Sequence, residues 1–439
     1  MKKMIGLLMG LVLVGMFLSG CSSNDQLSAL ERRIQNLENQ IMELETEIST
    51  SEIHLAEYED RIAVLEEQRV NTRTKITQLE TKVTALEDIT NSTVTLFLAP
   101  EYYLVPGETF QLFYRSFIQA VDPYRYYIRL TGTVGHGYNR YYEWTPDNDN
   151  LNSDYSLKVD ICTDQGDILA TATTLLKVRK STSTSKRILC IGDSLTANGY
   201  WVAHGYSQYL ASGGTTHTFL GTITGGYQST TLHYEGRGGW QWSSFVGGFG
   251  DTDSPFKAST PSGISFSEYC SRNGYTGIDE LYVLMTWNGI GGRFRTFSML
   301  SEPFVSAKKI IDQFHADYPN GKITLLGIPQ PSVASGLGAY FEIDVNYGDN
   351  YGQFVTALRY NAMLLTFSQM DDYKDFVRYI DVASQFDSEY NMPTITKPVN
   401  TESSTTELVG TSMGMHPSTA GYLQIGDVFY RALWQGWSD

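Results

Sequence analysis

The run Gly192-Asp193-Ser194-Leu195 has the composition and the position of a turn that carries a nucleophile. It directly follows the apolar segment Arg187–Ile191, the first of several such segments that alternate with helical ones. This alternation predicts a mostly parallel sheet, in which reactive groups gather at the carboxyl ends of the strands. A serine hydroxyl there also needs a base to accept its proton and donors to stabilise an oxyanion.

A candidate base lies in the run Met415-His416-Pro417-Ser418, near the end of the chain. An amphipathic stretch, Thr419–Trp434, follows this run, and Ser418 can cap the helix that the stretch predicts. His416 is thereby placed on the loop just before the helix. The pattern indicates Ser194 as the nucleophile and His416 as its general base.

Together these motifs resemble those of the SGNH, or GDSL, hydrolase superfamily across about residues 187–437. The resemblance implies that Ser194 attacks an ester and that His416 is the base. It also implies an oxyanion hole made by the backbone N–H groups of Ser194 and Gly239 and by the side-chain amide of Asn288. Glycine suits such a site because it has no side chain to obstruct a close approach.

The sequence departs from the family pattern at the position that orients the histidine. The family usually carries an aspartate three residues before it, whereas this chain has Met413, and a thioether cannot replace a carboxylate. The supporting acid is therefore unknown. Either a backbone carbonyl supports a Ser–His dyad, or a carboxylate from elsewhere, Asp381 or Glu407, reaches the imidazole. Thr286 and Gly289, around Asn288, also replace the family's more common glycine and aspartate.

Residues 187–439 are expected to form an α/β domain with a flavodoxin-like, doubly wound parallel sheet, as in SGNH hydrolases. Three tryptophans beside the motifs, Trp240, Trp242 and Trp287, either line a sugar site or pack it. The candidate strands are Arg187–Ile191, His217–Ile223, Glu280–Thr286, Lys322–Ile328 and Val377–Val382, and the candidate helices lie near 196–212, 301–317, 352–370 and 418–434.

The middle of the chain has a different pattern. Between residues 91 and 180, short runs with period-two alternation are separated by turn residues, which predicts a small immunoglobulin-like β-sandwich. Its tyrosines are either core residues or a sugar-binding surface. Residues 181–186, which begin with alternating serine and threonine, are interpreted as a linker.

The N-terminal residues have the pattern of an export signal. Lys2 and Lys3 precede an apolar run that ends in Leu18-Ser19-Gly20-Cys21. This ending resembles the lipobox of bacterial lipoproteins, which implies a signal peptide over residues 1–20 and a lipid on Cys21. The resemblance implies a cell-membrane anchor with the protein on the extracellular side, or in the periplasm if the host has two membranes.

A heptad repeat follows the anchor. From Leu27 to Leu86 the apolar residues keep a 3-4 spacing without proline or glycine, which predicts a coiled coil. β-branched residues dominate the a positions and leucine the d positions, which favours a parallel dimer over a trimer. Residues 21–90 are therefore expected to form the lipid anchor and a parallel coiled-coil stalk.

Composition excludes several function classes. The chain has 439 residues with 32 basic and 48 acidic side chains, so its net charge of −16 argues against a nucleic-acid partner. Four irregularly spaced cysteines and seven scattered histidines indicate neither a disulfide scaffold nor a zinc site, and no metal or cofactor is expected.

The function hypothesis is a lipid-anchored surface serine esterase that removes acetyl or other short acyl groups from a polysaccharide. Segments 241–279 and 329–351, rich in Gly, Ser, Phe and Tyr, fit a hydrophilic substrate better than an acyl chain. The alternatives are a lipid esterase, a catalytically weak or inactive carbohydrate-binding or adhesin lipoprotein, and a structural spacer.

Overall fold

The structure is a computed structural model that describes residues 24–90, 94–181, 184–259, 263–290, 295–333, 350–410 and 414–437. Two of the residues singled out above, Cys21 and Met413, lie outside these ranges. The chain divides into two compact units, Met1–Ala85 and Leu86–Asp439.

One long helix, α1 (Asn24–Thr90), accounts for the described part of the first unit. Apolar residues at heptad positions, including Leu44, Ile48 and Leu65, are more than half exposed. Among the described residues the helix therefore presents an exposed apolar stripe at these positions, and the coiled coil stays a prediction. Across the described residues, no helix combines the length and the apolar character needed to span a membrane.

The second unit begins with small sheets around one core. Its elements are β1 (Thr95–Leu96), β2 (Glu101–Leu104), β3 (Phe110–Phe113), α2 (Tyr114–Phe117), β4 (Ile118–Gln119), β5 (Tyr127–Thr131), β6 (His136–Gly137), β7 (Tyr141–Trp144), β8 (Asp154–Cys162) and β9 (Ile168–Val178). Strands β2, β9, β8 and β5 form one sheet in that order, and β3, β7 and β6 form another, while β1 pairs with β4. Leu104, Leu112 and Val159 are among the buried residues that the two larger sheets contribute to the core.

A mostly parallel sheet follows in the same compact unit. Its strands are β10 (Arg187–Gly192), β11 (Thr218–Leu220), β12 (Ile223–Tyr227), β13 (Thr230–Gly236), β14 (Glu280–Leu284), β15 (Lys322–Leu326) and β16 (Val377–Ile380). Strands β11 and β13 both pair in parallel with β10, on the side opposite β14, and β12 is antiparallel to β13. Counting β11 and β13 as one strand, the order is 2-1-3-4-5, that of flavodoxin-like doubly wound sheets.

Helices cover both faces of this sheet. They are α3 (Ser194–Ala197), α4 (Tyr200–Ala211), α5 (Trp242–Gly247), α6 (Phe266–Asn273), α7 (Phe297–Asp317), α8 (Asn350–Ser368) and α9 (Thr419–Gln435). Because successive side chains of a strand point to opposite faces, one strand supplies apolar residues to both layers. Leu189 and Ile191 of β10 join one core with α5–α8, whereas Ile188 and Cys190 join a second core with α4 and α9. The unit is therefore a mixed α/β structure with two apolar layers. An antiparallel hairpin of β17 (Thr394–Pro398) and β18 (Thr406–Gly410) lies between β16 and α9.

Candidate active site

The turn after β10 is tightly packed at the carboxyl end of the central strand. A Cβ atom on Gly192 would lie 2.2 Å from Thr196 Oγ1 and 2.4 Å from the carbonyl oxygen of Leu284, so a larger residue would displace both. Asp193 then caps the short helix α3, whose first residue is Ser194. The half-buried Ser194 is therefore held at the edge of the sheet where parallel strands end.

Asp193 ties this turn to the segment after β14. Its buried carboxylate accepts hydrogen bonds from the Leu195 N–H (3.1 Å), the Thr286 N–H (2.8 Å) and the Thr286 hydroxyl. Burial raises the pKa of Asp193 to about 6, because a low-dielectric surrounding disfavours the charged form, while the hydrogen bonds oppose that rise.

The structure brings the predicted nucleophile and base together. His416 Nε2 lies 2.8 Å from Ser194 Oγ, although 222 residues separate them in sequence. His416 is half-buried, and burial lowers its pKa below 6.5. The imidazole is therefore largely neutral at neutral pH and can accept the serine proton.

The loop that carries His416 is fixed on both sides. Before it, the carbonyl of Gly414 accepts a hydrogen bond of 2.9 Å from the N–H of Ser332. After it, Ser418 caps α9 by accepting from the Gly421 N–H at 3.4 Å, as the sequence indicated. The backbone N–H and the hydroxyl of Ser418 both donate to the carbonyl of Asn391, each at 2.9 Å.

Besides Ser194, the residues predicted for the oxyanion hole are Gly239 and Asn288, which follow the strands on either side of β10. Gly239 comes after β13 and has a φ of +79°, a left-handed conformation that favours glycine. Asn288 comes after β14, and its Nδ2 is buried without a hydrogen-bond acceptor among the described residues. Leaving such a donor unpaired costs about 1–3 kcal/mol, so it suits a site whose acceptor arrives with the substrate.

The two carboxylates considered as supporting acids do not reach the imidazole. The Asp381 carboxylate is buried and accepts from the hydroxyls of Ser384 (2.6 Å), Tyr102 (2.7 Å) and Tyr379 (3.3 Å). Glu407 is exposed on β18. Within the described ranges, neither carboxylate hydrogen-bonds to His416.

The tryptophans beside the motifs pack the site instead of lining it. Trp240, Trp242 and Trp287 are only 5%, 3% and 1% exposed to solvent, and they belong to one apolar core. The indole N–H of Trp242 donates to the Tyr360 hydroxyl at 2.7 Å. The Arg237 guanidinium lies 4.9 Å from the centre of the Trp240 ring.

A cavity of about 1000 Å³, lined by both polar and apolar groups, opens beside Arg237. The N–H of Arg237 donates to the carbonyl of Gly192 at 2.9 Å, so this residue connects the cavity wall to the turn that carries Ser194. The buried Glu235 holds the guanidinium at 2.6 Å and accepts from the Tyr269 hydroxyl at 2.8 Å. Other wall residues are Thr222, Asp253, Glu268, Arg272 and Asn273. No motif in the sequence marks this cavity, because the residues that line it are spread over 222–273.

No group of three or more His, Cys, Asp or Glu side chains in the described part of the chain is arranged to hold a metal ion. No protein-family model and no curated protein matches the chain.

Solved structures similar to this chain include a carbohydrate esterase family 3 protein from Talaromyces cellulolyticus, with 13% identity, a TM-score of 0.35, and coverage of 57% of this chain and 97% of that one. An extracellular lipase from Streptomyces rimosus shares 12% identity, with a TM-score of 0.31 and coverage of 55% and 98%. The native aryl esterase of M. smegmatis shares 15% identity, with a TM-score of 0.32 and coverage of 56% and 98%. These similar structures are esterases and lipases.

Proposed function

We propose that the protein is a serine esterase of the SGNH type that hydrolyses carboxylic esters through Ser194 and His416. The observation that carries the proposal is the 2.8 Å contact between His416 Nε2 and Ser194 Oγ at the carboxyl edge of the sheet. Asn288 follows β14, the strand beside β10, and its Nδ2, which has no acceptor among the described residues, adds a donor for the oxyanion.

The chemistry follows from these positions. His416 takes the hydroxyl proton as Ser194 Oγ bonds to the ester carbonyl carbon, and the carbonyl oxygen becomes an oxyanion. The N–H groups of Ser194 and Gly239 and the Asn288 amide are the donors assigned to that oxyanion. The C–O bond to the alcohol then breaks, and the alcohol oxygen takes the proton from His416. Water, deprotonated by His416, then bonds to the acyl carbon, the bond to Ser194 Oγ breaks, and Oγ takes the proton from His416 as the acid leaves.

The substrate class we propose is an acetylated or short-acylated polysaccharide. The cavity beside Arg237 supports it, because its wall includes charged and hydroxyl side chains that can hydrogen-bond to a hydrated sugar. The test compares release of acetate from acetylated polysaccharides with hydrolysis of chromogenic esters of increasing chain length. We expect the acetyl ester to be hydrolysed fastest, whereas a preference for acyl chains of eight or more carbons would indicate a lipid esterase.

The anchor proposed for this activity is the lipid on Cys21, which would hold the enzyme at the outer face of the cell membrane. The 67 residues of α1 extend about 100 Å at 1.5 Å per residue. Cys21→Ala should move the protein from the membrane fraction to the soluble fraction, with Cys162→Ala as the control because Cys162 is buried in the second unit. A processed Cys21→Ala protein that stays in the membrane at high salt would exclude the anchor.

The exposed apolar stripe of α1 supports the proposed parallel dimer, since pairing two stripes removes them from water. A form that lacks residues 1–21 should sediment at twice the monomer mass. The double substitution Leu44→Glu and Leu65→Glu should convert this dimer to a monomer. A monomer without these substitutions would contradict the stalk, and a trimer would contradict only the a and d preference.

A further inference from the structure

The segment Asp381–Asn391, here called the bridging segment, connects two parts of the second unit. It begins directly after β16, and residues 381–388 are buried. On one side it contacts the sheets of residues 94–181, and on the other it contacts the loop that carries His416. No motif in the sequence marks it.

Charged and hydroxyl groups from residues 94–181 hold one end of the bridging segment. Arg140 donates from Nη2 to Asp387 at 2.7 Å and from Nε to Glu389 at 2.9 Å. The Tyr124 hydroxyl donates to the same Glu389 oxygen at 2.5 Å. Asp387 in turn accepts from the N–H of Glu389 at 3.1 Å, so the arginine fixes a turn of the backbone as well as two side chains.

Two buried hydroxyls hold the remainder of the bridging segment. Ser116 donates to the carbonyl of Phe386 at 2.7 Å, and Tyr102 donates to the carboxylate of Asp381 at 2.7 Å. Tyr102 lies on β2 and Ser116 on α2, and both lie more than 260 residues before their acceptors. Residues 94–181 therefore contact the bridging segment along its length.

The other side of the segment sets the histidine loop. The carbonyl of Asn391 accepts both hydrogen bonds from Ser418, and a Cβ on Gly421 would lie 2.4 Å from that same oxygen. Gln424 on α9 accepts from the N–H of Asp387 at 2.9 Å and from the Asn391 amide at 2.8 Å. The N-cap of α9, Ser418, lies two residues after His416 and is thus fitted against the bridging segment.

We infer that the domain of residues 94–181 positions the catalytic histidine, and that Arg140 is the positioning residue through which it does so. Arg140 binds Asp387 and Glu389, these order the turn that ends at Asn391, and Asn391 fixes Ser418 beside His416. The inference rests on the proposed esterase function. It assigns to the small sheets a role in catalysis that differs from binding a substrate or spacing the enzyme from the membrane.

The test is Arg140→Met, which keeps an unbranched side chain and removes the donors. The matched control is Arg129→Met, because Arg129 also pairs with a buried carboxylate, that of Asp160 at 2.9 Å, but entirely within residues 94–181. Both variants are assayed in the full chain for kcat, KM and the pH midpoint of kcat/KM on a chromogenic acetate ester. Thermal unfolding is measured in parallel.

We expect Arg140→Met to lower kcat about tenfold or more with little change in KM, since an error of about 1 Å in a catalytic group can cost a hundredfold. Its pH midpoint should rise toward 6.5, because a loosened His416 is less buried. Arg129→Met should keep the parent kcat and midpoint even where its unfolding temperature falls equally.

Equal kcat values in the two variants would overturn the inference. If Arg140→Met does not fold, the second variant is Tyr124→Phe, which removes only the hydroxyl bound to Glu389. It should also lower kcat, and an unchanged kcat in Tyr124→Phe would then overturn the inference. A parent protein that hydrolyses no acetate ester would refute the proposed function itself, which separates the two failures.

Discussion

The carboxylate of Asp193 accepts hydrogen bonds from both the backbone N–H and the hydroxyl of Thr286. One residue precedes the proposed nucleophile, and the other lies two positions before Asn288. The contact therefore sets the distance between the attacking group and the proposed oxyanion donor. A glycine at position 286, which the resemblance would favour, could supply only the N–H.

Thr286→Val tests that contact, because valine keeps the branched shape and loses the hydroxyl. The buried carboxylate then lacks one donor, and we expect the free energy of unfolding to fall by about 1–3 kcal/mol and kcat to fall with it. The control is Thr174→Val. The Thr174 hydroxyl is also buried but has no partner among the described residues, so its loss should be neutral or stabilising. Equal stability changes in the two variants would contradict this role of Thr286.

The positions of Ser194 and His416 could be predicted from the sequence because each lies next to a strong local signal. A strand leads into Ser194, and a capping serine follows His416. The strand candidates agree with β10, β14, β15 and β16 to within two residues at each end. Strands β10, β14 and β15 are almost entirely buried and rich in apolar residues, which is the pattern of central parallel strands, whereas only Val377 of β16 is buried.

The sequence does not reveal the second strand of the parallel sheet, for a physical reason. The candidate His217–Ile223 is only the three-residue β11, and the strand that leads to Gly239 is β13, which pairs with the antiparallel β12. Strands β12 and β13 lie toward the edge of the sheet and contain Thr, Gly and His in place of an apolar run. The bridging segment was also missed, since its partners lie some 250 residues away in sequence.

Ser194→Ala should abolish ester hydrolysis and leave the fold intact. Ser194 is the only serine with both a histidine contact and neighbouring oxyanion donors in the described part of the chain, so we expect kcat to fall about a thousandfold or more. Ser301→Ala, an exposed serine on α7, is the control and should keep full activity. Most of the activity surviving in a purified Ser194→Ala protein would refute the assignment of the nucleophile.

The pH dependence of kcat/KM should report the titration of His416. Below its pKa the imidazole is protonated and cannot accept the serine proton, so activity falls as the pH falls. Because burial lowers this pKa, we expect the midpoint below 6.5. Asp193, whose pKa is about 6, also titrates in this range. The residual activity of Asp193→Asn should therefore keep the same midpoint, whereas a midpoint that disappears with that substitution would identify Asp193 as the titrating group.

The group that supports the imidazole can be tested by removing a candidate carboxylate. A supporting carboxylate in a catalytic triad contributes about 10⁴ in kcat by holding the tautomer of the histidine. Glu407 lies exposed on the β17–β18 hairpin, and the carboxylate of Asp381 is occupied by three hydroxyls. We therefore expect Glu407→Ala to change kcat/KM by less than about tenfold, or 1.4 kcal/mol.

Position 413 offers the complementary experiment. Met413→Asp restores the carboxylate that the resemblance implies three residues before His416, and Met413→Asn is the uncharged control of the same shape. If a backbone carbonyl supports a Ser–His dyad in the parent protein, kcat should be higher in the aspartate variant than in the asparagine one, because only the carboxylate stabilises the imidazolium that forms as the serine attacks. A several-hundredfold loss in a folded Glu407→Ala protein would instead show that an acid from the hairpin reaches His416 during catalysis, and the dyad would have to be abandoned.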